Sequence, residues 1–87
     1  MTELELLEKV KVMTNYTDDE QNDFLMGWIE EAKQLMRGCG ISDEYINGSN
    51  SVGIIAKIVT DLCDNGAMTD YTHKRLIQLS LTYKGGE

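Results

Sequence analysis

The stretch at residues 51–66, SVGIIAKIVTDLCDNG, constrains the fold more than any other part of the chain. Advancing about 100° per residue from Gly53 gathers Lys57, Thr60, Asp61 and Asp64 with the glycine inside a window of roughly 100°. Val52, Ile54, Ile55, Ala56, Ile58, Val59, Leu62 and Cys63 fill about 200° of the remainder, twice the usual stripe of a surface helix. Such a helix needs cover on several sides. Packing against the second and last helices of its own bundle is one source, and a neighbouring subunit is the other. At 87 residues the chain makes a single domain that buries only roughly 60 to 70% of its unfolded surface. The wheel also predicts that a charge at Ile58 or Leu62 is not tolerated, whereas Lys57 and Asp61, on the polar strip, accept charge reversal with folding nearly intact.

Three further helices are predicted, so the fold class is all-α, a small bundle of about four helices. The first spans about 3–13, opened by Thr2 with Glu5 at the capping-box spacing. Leu6, Val10 and Met13 form its apolar line, with Leu7 beside them. The longest helix is expected at about 18–37, after a second capping box of Thr17 with Glu20. Phe24, Leu25, Trp28, Ile29, Ala32, Leu35 and Met36 lie on one face of it within an arc of about 140°. Its acids come early and its bases late, as the helix dipole favours, and Gly38 and Gly40 end it.

Residues 41–50, ISDEYINGSN, form a polar loop pinned by Ile41, Tyr45 and Ile46, with room for one helical turn at 43–46. The central apolar helix covers about 51–64, closed by Asn65 and Gly66. A last helix at about 72–83 carries Leu76, Leu79, Ser80 and Tyr83 on one line, with Ile77 alongside. One domain at 1–83 and a flexible tail at 84–87 complete the layout.

Fifteen acidic residues against eight basic ones give a net charge of -7, which opposes non-specific attraction to nucleic acid and to anionic membranes. Apolar runs reach three residues, as at Phe24, Leu25 and Met26, far short of the ~20 needed to span a bilayer. The acidic start MTELELLEK lacks the basic region of a signal peptide. Cys39 and Cys63 have no partner at metal-ligand spacing and read as reduced thiols.

Catalytic chemistry finds little foothold. His73 is the single histidine, three residues before Leu76 and expected on the inward side of the last helix. No nucleophile stands at a recognisable spacing from it. The acids Asp18, Asp19, Glu20 and Asp23 lack the alternation of a calcium loop, and the glycines form no phosphate-binding pattern. We therefore expect no catalytic, metal or cofactor site and no enzyme activity. Trp28, Phe24 and Met36 are expected in the core. Leu4, Val12 and Met26 fall off the main apolar lines and, with Lys57 and Asp61 on the polar strip, are the candidate subunit or partner contacts.

The segment VGIIAKIVTDLCDNGAMTDYTHKRLIQLSLTY carries a pattern beyond its periodicity. Gly53 and Ile54 lead a helix with Ala56, Val59 and Asp61, followed by the Asn65 and Gly66 turn, Thr72 as a cap, and Ile77, Gln78 and Leu79 near the end. This resembles the C-terminal half of the small all-helical phage head-tail connector family, also described as DNA-packaging or head-completion adaptors. The N-terminal layout, with YTDDEQNDF before LMGWIEEAKQLM, is similar too, although Cys63 stands where relatives often carry an aromatic. The resemblance implies a virion protein, encoded by a phage or prophage, at the head-tail junction. There it would form a homo-oligomeric ring on the portal protein and bridge it to the next tail-ward component, with DNA passing through without specific binding. The alternative is a small acidic helical adaptor, or an inhibitor that mimics DNA.

Overall fold

A computed structural model describes residues 2–15 and 22–83. Its elements are α1 (Glu3–Thr14), α2 (Asn22–Gly38), α3 (Asp43–Asn47), a 3-10 turn (Ser49–Ser51), α4 (Val52–Asn65) and α5 (Asp70–Thr82). The all-α bundle stands, with four long helices and one short one among the described residues. The expected second capping box, Thr17 with Glu20, and the start of the long helix at 18 lie outside them.

Local chemistry explains most of the boundaries. The Glu5 amide donates to Thr2 Oγ1 at 3.1 Å and the Thr2 amide reaches Glu5 Oε1 at 3.5 Å, so the first capping box closes as expected. Gly40 ends α2 with φ +88°, and the amides of Gly40 and Ile41 donate back to the Arg37 and Met36 carbonyls, the double bond of a Schellman stop. Ile41 then tucks into the core. Gly66, at φ +73°, plays the equivalent role after α4.

The polar loop is more ordered than its composition suggests. Ser42 caps α3, while buried Ser51 donates to the Ile46 carbonyl at 2.8 Å and so satisfies a turn that would otherwise strand a polar group. Ile46 is buried, and Tyr45 stacks on Tyr83 with ring centroids 4.2 Å apart. The Ser42 amide also donates to the Tyr83 carbonyl at 2.7 Å, tying the end of α5 to the start of α3.

The apolar arc of α4 is covered within the subunit. Val52, Ile55, Ala56, Ile58, Val59 and Leu62 are buried, and Ile54 and Cys63 are partly buried against the same core. α1 and α2 supply most of this cover and α5 closes the remaining side, so the expected pairing with only the second and last helices omits α1. Surplus apolar surface was expected on the first helix and on this one. It does lie on α1, at Leu4, Val12 and Met13, but not on α4; the rest is on α2 at Phe24 and on α5 at Tyr71, Ile77 and Leu81, with Tyr83 just after it.

Three core assignments change. Phe24 is 74% exposed and Trp28 only partly buried, because the buried line of α2 runs through Leu25, Ile29, Ala32 and Met36. That line is centred about 40° from the predicted arc, which leaves Phe24 at the rim and draws Met26 inward. Met13 is 55% exposed, because the buried line of α1 runs through Leu6, Leu7 and Val10. A cap assignment changes as well: α5 begins at Asp70, capped by Thr69, so Thr72 is a buried residue of its first turn and not the cap.

Candidate functional site

The five candidate contacts do not converge. Leu4 and Val12 are exposed near opposite ends of α1, and Met26 is partly buried against the core from α2. Lys57 stands half-exposed on α4, at 45% of its side-chain surface, while Asp61 keeps only 2%. Asp61 therefore does not face solvent, contrary to the reading of the polar strip. It sits about 80° from Gly53 on the helical wheel, at the strip's edge, where the first turn of α5 packs over it.

What Asp61 does there is structural and specific. Its Oδ2 accepts from the Thr69 amide at 3.2 Å, from Thr69 Oγ1 at 3.0 Å and from Thr72 Oγ1, while Oδ1 pairs with Lys57 Nζ at 3.1 Å. Thr69 Oγ1 in turn accepts the Thr72 amide at 3.4 Å, the N-cap bond of α5. One carboxylate thus joins the C-terminal half of α4 to the N-terminus of α5, where the helix dipole also favours negative charge. Burial alone would raise its pKa. The bonds from Thr72, the Thr69 amide, Lys57 and the Thr69 hydroxyl outweigh burial and hold the group below its ordinary value of 3.8.

A depressed carboxylate pKa stabilises the fold above the ordinary value, and that contribution is lost as pH falls through the lowered one. The melting temperature should therefore drop more steeply as pH falls from about 4 towards 2, on the order of a few degrees per unit, for the natural chain than for Asp61→Asn. Parallel slopes for the two proteins would assign the acid sensitivity to other carboxylates.

His73 is exposed, not inward, and no group of three or more His, Cys, Asp or Glu side chains forms a metal-binding cluster among the described residues. Both cysteines are free thiols and partly buried. No described helix is long and apolar enough to cross a membrane.

The surface instead offers open grooves between helices. One of about 420 Å³ lies between α2 and the C-terminal end of α4, walled by Phe24, Trp28 and Leu62, with Gly27 open to it and Asp23 and Glu31 at the rim. A second, about 340 Å³, runs between α1 and the start of α4 beside Val12 and Met13. A third, about 400 Å³, separates α4 from α5 along Gly53, Lys57, Tyr71 and Arg75. Sequence reasoning missed the first groove by placing Phe24 in the core. It missed the outer face of α5 as well, where Lys74, Ile77 and Leu81 lie opposite Leu76 and Leu79. That second apolar line was available as a signal.

Fold and surface together define a small all-α bundle that presents shallow apolar and acidic grooves. No protein-family model matches the chain, and no curated protein or solved structure does either.

Proposed function

We propose that this chain is a structural subunit of a phage or prophage head-tail junction. It assembles with copies of itself into a ring on the portal protein, and the ring bridges the capsid to the next tail-ward component around the DNA channel. The observation that carries this reading is the pair Ile77 and Leu81, four residues apart and exposed on the outer side of α5, together with exposed Leu4, Val12 and Met13 on α1. Single exposed apolar residues are ordinary on a monomer, whereas lines of them along a helix are what association surfaces use. The resemblance of the C-terminal half to the connector family points the same way. With a net charge of -7, a lining of this chain would repel passing DNA and leave it free to slide.

The acidic-inhibitor reading draws less support, because the exposed carboxylates among the described residues are spread over all five helices. Native mass spectrometry and light scattering across a concentration series, with and without the cognate portal protein, test the proposal. The expected result is a closed oligomer, formed alone or on the portal. A chain that stays monomeric at millimolar concentration and ignores the portal overturns it.

A further inference from the structure

We infer that α5 is a hinged arm, which undocks from α4 as a unit about Gly66 and Ala67 while α1, α2 and α4 stay folded together. The inference does not depend on the ring reading.

The core is shared unevenly among the helices. α1 and α2 rest on each other and both rest on α4, whereas α5 rests chiefly on α4. The buried apolar side chains of α5 are Leu76 and Leu79, and Thr72 is its other buried residue. The side of α4 that α5 covers is the edge of the polar strip: Gly53, Ile54 and Lys57 line the groove between the two helices, and Asp61 lies under the first turn of α5. Undocking therefore returns two leucines and part of Met68 to water and leaves the apolar contacts among α1, α2 and α4 in place.

Polar ties hold α5 at its two ends. Asp61 fixes Thr69 and Thr72 at the start. Past the other end, the Tyr83 carbonyl accepts from the Ser42 amide and the Tyr83 ring stacks on Tyr45. Water takes over such hydrogen bonds when a helix leaves, whereas nothing replaces lost apolar contacts. The hinge is the least restrained part of this region. Gly66 and Ala67 are exposed, Gly66 has φ +73°, and neither Ala67 nor Met68 makes a hydrogen bond among the described residues. A helix of 13 residues is marginal alone in water, so the released arm frays. Elements held by few buried apolar contacts open below the free energy of global unfolding. Opening turns Asp61 from a buried tie into an exposed carboxylate beside Lys57 and parts the groove between α4 and α5.

Native-state hydrogen exchange on the full-length free chain in dilute solution, read residue by residue for the wild type, Thr69→Ala and Ile29→Val, tests the arm. In the wild type, amides near Leu76 and Leu79 should exchange at least about tenfold faster than the slowest amides of α2 and α4. Thr69→Ala removes the cap and its bond to Asp61 and should speed exchange in α5 about five- to tenfold. Ile29→Val thins the core that stays folded when the arm opens. It should speed the slowest amides of α2 and α4 about fivefold and leave α5 unchanged. Amides of α5 as slow as those of α2, or an equal acceleration of α5 and α2 by Ile29→Val, would mean that α5 leaves only when the whole chain unfolds, and would overturn the inference. Unchanged exchange of α5 in Thr69→Ala would overturn the tie at its start.

Discussion

Ile58→Asp abolishes the cooperative thermal transition and most of the helical circular-dichroism signal. Ile58 has no exposed surface, and it lies on the side of α4 that the rest of the bundle covers. Truncating such a side chain costs about 2 to 5 kcal/mol through lost burial and the cavity left behind. A carboxylate in that position adds a further penalty of several kcal/mol for an unpaired charge, or for the proton it must take up. A domain of 87 residues has on the order of 4 to 13 kcal/mol in total, so the sum reaches or exceeds the whole stability. Ile58→Val keeps most of the volume and should lose only about 1 kcal/mol. If Ile58→Asp melted cooperatively near the wild-type temperature, α4 would not be the centre of this bundle.

Asp61→Ala is the second large effect, and the helical wheel alone predicts the opposite. On the wheel Asp61 belongs with Lys57 to a strip that tolerates exchange. In the bundle it accepts three hydrogen bonds on one oxygen and an ion pair on the other. Its removal strips partners from the buried Thr72 hydroxyl and the Thr69 amide at the start of α5. About 3 kcal/mol is expected to be lost, a fall of more than about 10 °C in Tm at this chain length. Lys57→Met, by contrast, removes a half-exposed ammonium and should change stability by less than about 1 kcal/mol. Measuring the two side by side separates a buried anchor from a surface ion pair. Equal and small effects would mean that the Asp61 network contributes nothing.

The contrast between these residues shows where periodicity stops informing. Ile58 and Leu62 lie deep in an apolar arc of about 200°, so any arrangement that hides the arc hides them. Asp61 lies at the arc's edge, and whether an edge residue meets water depends on what passes over it. The same holds for Phe24 on α2 and Met13 on α1, both placed inward by their spacing and both outward in the bundle. A rotation of about 40° in the packed face is enough to exchange Phe24 for Met26. His73 followed Leu76 by spacing alone and is exposed for the same reason.

Capping chemistry was more legible, since a cap is a contact between residues three or four apart. Thr2 with Glu5, Gly40 after α2 and Gly66 after α4 all act where their types and positions indicate. Thr69 was the exception. Its role depends on Asp61, eight residues away and on another helix, which holds the cap's hydroxyl and amide in place.

By itself, then, the sequence determined that this chain is a helical bundle and that the segment near 52–65 is its core. Those properties follow from the period of apolar residues and from short-range hydrogen bonding, which a chain carries wherever it folds. Tertiary structure decided which edges of each helix face water, turned Asp61 from a surface charge into a buried tie between α4 and α5, and opened the groove beside Gly27. These depend on the angle at which one helix rests on another, and that angle comes from the summed packing of side chains distant in sequence, which no single segment encodes.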